Sequence, residues 1–298
     1  MAPLSDSAKG VAASFGASCL FGAMYYYATL MHPLTGSGIF GWRMLVTLPF
    51  LSLLLRATGF WPLVGEVAAR LRRTPLLIFP LLVSSLLVAV QYWLFLWAPV
   101  NGRALEVSLG YLLMPLVMVL GGRLFFHDSL QRFQKLAVFL AALGVANQVR
   151  QMGGVSWEVL TVALGFPVYF IFRRKLGTDH LGGLWFDILL MMPASLYFIY
   201  ASEHGTGILT TYPKMLGLIP LLGIMSATAI GCYITASRLL SLSLFGLLGY
   251  VEPVIMVAVS LLLGERIQSG EILTYAGVVS AVAVLAVGGV RHVGNHRR

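Results

Sequence analysis

Long runs of apolar residues recur ten times along this chain and limit its possible folds more than any other feature. A hydrocarbon layer about 30 Å thick is crossed by a helix of roughly 20 residues, and most of the runs approach that length. In lipid a spanning segment must satisfy its own backbone hydrogen bonds, so such runs form helices. The predicted spans are 11–30, 38–55, 76–98, 104–124, 136–149, 158–172, 182–200, 215–237, 243–263 and 271–290.

Composition supports a membrane protein. Of the 298 residues, 58% are hydrophobic and only 10% are charged, which is more apolar side chain than one water-soluble core can bury. The connections between runs are short, so no sizeable extramembrane domain is expected. The first run has no small-residue cleavage site and is interpreted as a retained helix. The sequence therefore predicts an all-α integral membrane protein in contact with the lipid bilayer.

The basic residues indicate the orientation of the chain. The net charge is +9, but most Lys and Arg residues lie in short loops between runs or at the C-terminus, so nucleic-acid binding is not expected. Positive loops stay on the cytoplasmic side. With ten spans and a cytoplasmic N-terminus, fifteen of the 20 Lys and Arg residues lie inside. Both termini are thus expected in the cytoplasm, with the chain in the cell (inner) membrane. The four outside are Arg103, Arg150, Lys214 and Arg266.

The two halves of the sequence resemble each other. At an offset of 144 positions several residues coincide, and further along the offset becomes 138 because of small insertions. Each half contains five spans, an odd number, so the second half must cross the membrane in the opposite sense. We therefore predict a five-plus-five inverted repeat, 1–152 and 153–298, as in many secondary transporters. The matched pairs are Tyr25 with Tyr169, Gly38 with Gly182, Trp42 with Phe186, Arg43 with Asp187, Pro49 with Pro193, and Pro115 with Pro253.

Two matched prolines fall near the middles of predicted spans. Pro115 lies in the fourth span and Pro253 in the ninth, and each follows a Gly-Tyr pair by a few residues. Proline removes a backbone hydrogen bond, which leaves a carbonyl free to line a cavity or lets the helix bend. Proline is also simply tolerated in membrane helices. Because the positions match between the halves, we predict functional helix bends at Pro115 and Pro253.

Three sequence blocks carry a family resemblance that covers essentially the whole chain. They are "WAPVNGRALEVSLGYLLMPL" at 97–116, "ASRLLSLSLFGLLGYVEP" at 236–253 and "GER" at 264–266. The chain resembles the RarD-type permeases of the EamA branch of the drug/metabolite transporter superfamily. The resemblance implies ten transmembrane helices in an inverted repeat, cytoplasmic termini, and export of small metabolites or drugs, with chloramphenicol associated with the subgroup.

The chain departs from the family pattern at two places. The first-half counterpart of "GER" is "HDS" at 127–129, which keeps an acid but lacks the arginine. Glu252 stands where relatives often have a neutral residue. The first departure puts a shared role of the motif in doubt, and the second suggests a local change in coupling or specificity.

Charged residues inside spans are costly and usually face a cavity or a partner. Glu252 is the deepest acid, and burial favours a carboxyl that can bind and release a proton. We predict that Glu252 couples transport to protons or binds a substrate amine. The alternative is a neutral glutamic acid that hydrogen-bonds to a neighbouring helix.

Other polar residues are predicted to bind substrate. Arg43 and Asp187 are repeat mates near the ends of their spans, where each could also reach the membrane surface. Arg43 could instead engage an anionic substrate group. Glu106 follows Arg103 by three residues and could either pair with it or face a cavity. Gln91 and four matched tyrosines could form a cavity wall, although packing is the alternative for each ring. These four are Tyr25, Tyr111, Tyr169 and Tyr250.

Other functional classes fit less well. No phosphate-binding G-x-x-x-x-G-K-[ST] loop is present, so ATP has no predicted site. The adjacent pairs His127–Asp128 and Asp179–His180 have no third ligand or nucleophile nearby, so no catalytic residue, metal site or cofactor is predicted. A proton-coupled exporter of small amphipathic molecules, chloramphenicol-like or amino-acid-like, fits best. An uncoupled facilitator and a non-transporting scaffold are the alternatives, and the sequence leaves the cargo and the oligomeric state open.

Overall fold

The protein is helical throughout the part of the chain that the computed structural model describes, residues 6–100, 103–152, 156–202, 205–255, 270 and 272–295. Short 3₁₀ turns occur at Pro75–Leu77 and Gly205–Gly207, and helical backbone resumes at 251–255 after a break. The "GER" sequence at 264–266 lies outside the described residues. The helices are α1 (Asp6–Thr29), α2 (Gly36–Ala57), α3 (Pro62–Arg73), α4 (Ile78–Val100), α5 (Ala104–Phe126), α6 (Arg132–Met152), α7 (Trp157–Leu176), α8 (Leu181–Leu190), α9 (Met192–Tyr200), α10 (Ile208–Thr211), α11 (Met215–Leu239), α12 (Leu242–Leu248) and α13 (Ile272–Asn295).

Several helices are long and apolar enough to cross a membrane. Among the described residues four qualify alone: Gly36–Ala57, Pro75–Ala98, Leu109–Phe126 and Met215–Leu239. The pair α8 and α9 qualifies as a fifth when it is counted as one bent span. The prediction of an all-helical chain with several helices able to cross a membrane is thereby confirmed.

Other predicted spans carry more polar residues, and these are buried. In α6 the side chains of Asn147 and Gln148 are buried, and in α7 those of Glu158 and Arg173. Polar residues lower the hydropathy of a helix, although inside a bundle they face protein and not lipid. A criterion of length and hydropathy alone therefore does not decide whether α6 and α7 cross the membrane.

The segment between the second and third predicted spans is a helix, where the sequence analysis predicted only a short loop. Pro62 opens α3, a position where its missing N–H is not needed. Val64 and Val67 are buried, and their three-residue spacing places them on one face of α3, which packs against α8. The basic residues Arg72 and Arg73 are exposed. The sequence analysis counted this segment among the connections and did not predict a helix, because the amphipathic pattern of α3 is short and follows closely on an apolar run.

Helix ends coincide with capping residues. Thr35 Oγ1 accepts a hydrogen bond from the Gly38 N–H at 3.2 Å at the start of α2. Gly177 ends α7 in the left-handed conformation at φ 66°, which glycine adopts without steric cost. At the start of α12 the Ser243 N–H donates to Asp128 Oδ2 at 2.9 Å. The acid of the "HDS" sequence thus caps a helix of the other half.

Packing between helices joins the two halves of the chain. The pairs α1–α11, α2–α11, α5–α7, α5–α12 and α6–α13 are in contact. So are α2 with α8 and α9, α4 with α7, and α4 with α8. All of these contacts join a helix of residues 6–152 to a helix of residues 157–295, so the two halves share one packed core.

Two of the matched prolines accompany breaks in the backbone. Pro193 lies at the start of α9, and α8 and α9 meet there at a bend of 41°. In the predicted ninth span α12 ends at Leu248, and Gly249 and Tyr250 form a turn before Pro253. Proline clashes with the carbonyl four residues earlier, which here belongs to Gly249. In contrast, α5 is one helix across Pro115.

Glycines allow α6 and α13 to approach each other closely. A Cβ atom on Gly144 would lie 2.6 Å from the Thr274 carbonyl oxygen, and one on Gly277 would lie 2.8 Å from the Leu140 oxygen. In lipid, helix association depends on such close fit. The Asn147 side chain adds a hydrogen bond of 3.0 Å to Thr274 Oγ1 across this interface.

Gly144→Ala should therefore destabilise the protein, by about 1–3 kcal/mol, because the added methyl group clashes with backbone. Gly16→Ala is the matched control, since nothing lies within 4 Å of its Cβ position. The control should be neutral or stabilising by up to about 1 kcal/mol, as expected for alanine in a helix. Unfolding of the purified protein in detergent measures both. Equal stability of the two variants would contradict a close α6–α13 interface.

Candidate functional site

A cavity lies where helices from both halves of the chain meet. The centre of a water molecule can move through about 30 Å³ of it, enough for a water or two. Two of its residues are charged, and the rest are aromatic. The lining residues are Phe21 of α1, Arg43 of α2, Tyr92 and Phe95 of α4, Tyr111 of α5, Phe166 of α7, Tyr233 of α11, and Glu252.

Arg43 provides the positive charge. Its side chain is 2% exposed, and its Nε donates a hydrogen bond to Ser226 Oγ at 2.9 Å. The guanidinium carbon lies 5.3 Å from the centre of the Tyr92 ring, within cation–π range. The terminal nitrogen Nη2 is buried and has no hydrogen-bond partner in the described part of the structure. Arg43 is therefore held in place while one of its donors stays available.

Glu252 provides the negative charge and follows the backbone break. Its N–H donates to the Gly249 carbonyl at 3.3 Å, which closes the turn, and Pro253 comes next. Within the described residues, Glu252 and Arg43 line the same cavity without forming an ion pair. Opposite charges thus share one small space without neutralising each other directly.

Aromatic rings form the remaining walls. Phe166 stands next to both Tyr92 and Tyr111, with ring centres 6.3 and 6.2 Å away. Phe21 meets Tyr233 edge to face at 5.7 Å. Such arrangements are favourable between aromatic rings and hold them in defined positions. The walls offer apolar faces and three phenol groups to whatever occupies the cavity.

A second buried polar cluster contains Asp187 and Tyr169. Tyr169 donates to Asp187 Oδ2 at 2.9 Å, and Arg173 Nη1 donates to the Tyr169 oxygen at 2.6 Å. The Arg173 and Asp187 charges are 3.6 Å apart, and both side chains are 1% exposed. Arg173 also donates to the Thr178 and His180 carbonyls. Asp187 and Tyr169, both predicted to bind substrate, lie in this cluster and not in the cavity lining.

Gln91 and Tyr250 bond to backbone carbonyls of neighbouring helices and are not part of the cavity lining. The Gln91 amide donates to the Thr161 carbonyl of α7 at 3.1 Å. The Tyr250 hydroxyl donates to the Leu112 carbonyl of α5 at 3.0 Å. Tyr25 belongs to α1, and its side chain lies outside the described part of the structure. Of the predicted binding residues, Arg43 and Tyr111 line the cavity together with Glu252.

Glu106 takes part in an ion-pair network at one end of α5. Arg103 lies 3.1 Å from Glu106 and 2.5 Å from Glu158, the buried acid at the start of α7. The hydrogen bond with Glu158 raises the pKa of the Arg103 guanidinium above its ordinary value. The network ties the segment before α5 to α7.

Sequence reasoning missed several residues of the cavity and of the cluster. Tyr92 and Tyr233 are 141 positions apart, between the offsets of 144 and 138 that align the halves, so the repeat could have indicated them. The chain has 17 phenylalanines, and nothing in the sequence distinguishes Phe21, Phe95 and Phe166 from the others. Arg173 was counted as a cytoplasmic loop residue because it begins a basic run, whereas its side chain is buried.

The chain is similar to several bacterial proteins along nearly its whole length. It is 42% identical to an uncharacterized transporter of Haemophilus influenzae over 282 residues, 95% of this chain and 94% of that protein. It is 39% identical to the chloramphenicol-sensitive protein RarD of Pseudomonas aeruginosa over 279 residues, 93% of each. Protein RarD of Escherichia coli is 27% identical over 282 residues, 94% of each. No protein-family model matches the sequence.

One solved crystal structure has the same overall fold as this chain. The two chains superpose with a TM-score of 0.62 at 15% identity, over 93% of this chain and 97% of the other. At this identity the likeness concerns the fold alone.

Arg173→Gln should destabilise the protein by about 3–5 kcal/mol, because it leaves the Asp187 charge buried without its partner. Arg123→Gln is the matched control, since Arg123 is exposed at the end of α5. The control should stay within about 0.5 kcal/mol of the parent. Denaturant unfolding in detergent gives both values. A loss no larger than that of the control would show that the cluster does not hold α7 against α8.

Proposed function

Because the chain belongs to the RarD family of membrane transporters, as its sequence motifs indicated, we propose that it exports small amphipathic metabolites or drugs in exchange for protons. The observation that carries this proposal is the cavity between the two halves, which holds two opposite charges among aromatic rings. A relative is named for chloramphenicol sensitivity, which makes chloramphenicol a reasonable first probe.

We further propose ten spans in a five-plus-five inverted repeat, 1–152 and 153–298, with both termini cytoplasmic in the inner membrane. Helix pairing supports this arrangement, because contacts occur in equivalent pairs. If α1, α2, α4, α5 and α6 correspond to α7, α8–α9, α11, α12 and α13, then α1–α11 is matched by α7–α4. Likewise α2–α11 is matched by the contact of α8 with α4, and α5–α7 by that of α12 with α1.

Alternating access follows from such a repeat, because two similar halves can exchange conformations around a central site. The cavity is small and lined by helices of both halves, as expected of a site enclosed between them. A relative movement of the halves would open it first to one side and then to the other.

Glu252 is the proposed proton carrier. The charged and titratable groups that share its cavity are Arg43, Tyr92, Tyr111 and Tyr233. Tyrosine and arginine side chains ordinarily have pKa values of about 10 or higher, so the three tyrosines and Arg43 keep their protons at neutral pH. Among the groups that share the cavity, this leaves Glu252 as the proposed proton acceptor. A carboxylate that either binds a proton or accepts a hydrogen bond from a substrate amine, amide or hydroxyl group, one at a time, would exchange the proton and the substrate across the membrane.

The test is transport of chloramphenicol into proteoliposomes that are acidic inside. A gradient of about two pH units supplies about 2.7 kcal/mol per exchanged proton, enough for about 100-fold accumulation. Wild-type protein should accumulate the drug only with the gradient. Glu252→Gln should lose this dependence, whereas Glu66→Gln, which removes an exposed acid on α3, should retain it.

Two results would count against parts of the proposal. Equal wild-type rates with and without the gradient would favour the uncoupled facilitator. A Glu252→Gln protein that still accumulates chloramphenicol in response to the gradient would remove the proton-carrying role of Glu252.

A further inference from the structure

The short helix α3 has a basic end next to a helix that can span the membrane. Its 12 residues extend over about 18 Å, too little to cross a hydrocarbon layer of about 30 Å. Val64 and Val67 are buried where α3 packs against α8, and three arginines occupy its last turn. Thr74 leaves the helical conformation ahead of Pro75, where the apolar stretch Pro75–Ala98 begins. The charged end of α3 therefore lies at the boundary of this apolar stretch.

The three arginines differ in their partners. Arg70 donates to the Leu176 and Gly177 carbonyls, at 3.0 Å each, and so holds α3 against the end of α7. Arg72 and Arg73 are exposed, and within the ranges that the structure describes neither side chain forms an ion pair or a hydrogen bond. Basic residues in a last turn also interact favourably with the helix dipole, a small effect that leaves their donors free. Two adjacent guanidinium groups are thus available to an anion.

Exposed apolar side chains follow the two free arginines directly. Leu76 comes three residues after Arg73, so their Cα atoms are at most about 11 Å apart. Leu76, Phe79, Val83 and Leu86 are all exposed, and their spacing places them along one side of the Pro75–Ala98 stretch. From Leu76 to Leu86 this stripe extends over about 15 Å, half the thickness of a hydrocarbon layer. Its length matches the acyl chains of one leaflet.

The two features together restrict what binds to this surface. A soluble anion would use the arginines and leave the stripe uncovered, and a phospholipid without net charge would cover the stripe and leave the arginines unpaired. Guanidinium groups bind phosphate oxygens as forked donors, and basic segments next to a membrane attract anionic headgroups. A phospholipid with a net negative charge satisfies the arginines and the stripe at once.

We infer that the end of α3 and the outer stripe of α4 form a binding site for an anionic phospholipid, with its phosphate at Arg72 and Arg73 and its acyl chains along Leu76, Phe79 and Leu86. The site lies outside the cavity between the two halves, and the inference does not depend on the transport proposal. Since Arg70 and the buried valines join α3 to α7 and α8, a lipid bound there stabilises the folded protein.

The test compares three probes on the full-length protein purified in detergent. They are dioleoylphosphatidylglycerol, which has an anionic headgroup, dioleoylphosphatidylcholine, which has the same chains without net charge, and inorganic phosphate, which has no chains. The rise in unfolding temperature with concentration gives each affinity. Each basic residue at a membrane surface contributes about a fivefold gain, so phosphatidylglycerol should bind about 30-fold more tightly than phosphatidylcholine. Inorganic phosphate at the same concentrations should not displace the lipid.

Variants then separate the headgroup contacts from the chain contacts. The double variant Arg72→Gln/Arg73→Gln should lose the preference, so that phosphatidylglycerol binds only as well as phosphatidylcholine. Phosphatidylcholine binding should stay at the level of the parent. Phe79→Ala should weaken both lipids by the same factor, because it removes apolar contact area and leaves the charges in place. All three residues are exposed, so the variants should fold like the parent.

The control removes the same charge at the same end of the protein. Lys9 and Arg238 are exposed, and Gly10, the neighbour of Lys9, packs on Leu240, two residues after Arg238. The Leu240 carbonyl accepts a hydrogen bond of 2.7 Å from Arg174 at the end of α7, the same helix end that α3 contacts. Lys9→Gln/Arg238→Gln should therefore keep the preference for phosphatidylglycerol if a defined site binds the lipid.

Three results would overturn the inference. Equal binding of the two lipids by the parent would mean that the stripe contacts lipid of any kind. Loss of the preference in the Lys9→Gln/Arg238→Gln variant, as complete as in the arginine variant, would mean that diffuse surface charge attracts the lipid. Competition by inorganic phosphate that depends on Arg72 and Arg73 would assign the two arginines to a soluble anion.

Discussion

A charge away from water needs a partner, and this constraint explains most of the polar structure of the chain. Arg43, Arg173, Asp187 and Glu158 are buried within a largely apolar bundle. Arg173 and Asp187 neutralise each other, and Glu158 pairs with Arg103 at the start of α7. Each of these pairs joins two separate segments, because the partner of a buried charge comes from a neighbouring element. The cavity, in contrast, is lined by Arg43 and Glu252, which form no ion pair with each other in the described part of the chain.

These pairs also position the cavity. α7 carries Phe166 in the cavity wall and is fixed near both ends, by Arg103 at Glu158 and by Arg173 at Asp187. Arg70 of α3 adds hydrogen bonds to the carbonyls of Leu176 and Gly177 at the end of the same helix. The α7 wall is therefore held by polar contacts outside the cavity. Arg43 and Glu252 take no part in these contacts that fix α7.

How much of the site was predictable depended on how isolated each residue is in the sequence. The sequence analysis singled out Arg43 and Glu252, which line the cavity, because a charge inside an apolar run has few explanations. Arg173 was not, because it begins the basic run 173–175 that reads as a loop, and only tertiary packing separates its buried side chain from its neighbours. Asp187 was found as a charge but not its partner, since the pairing depends on how α7 and α8 are arranged. The apolar runs gave the helices but missed α3, whose amphipathic pattern spans only three turns.

The matched prolines have different effects in the two halves. α2 and α5 continue as helices across Pro49 and Pro115, whereas their counterparts Pro193 and Pro253 accompany a bend of 41° and a turn at 249–250. Proline weakens a helix in every case, and whether the backbone breaks depends on what its neighbours restore.

The two charged residues of the cavity lie in segments that differ in this respect. Arg43 belongs to the continuous helix α2, where Gly41 brings the backbone close to Ser195 of α9: a Cβ there would lie 2.7 Å from the Ser195 oxygen. Glu252 follows directly on the interrupted segment. Closely packed helices resist deformation, and turns change their dihedral angles more easily. A change at 249–250 would therefore move Glu252 while Arg43 stays in place, so the distance between the charges can respond to what lies between them.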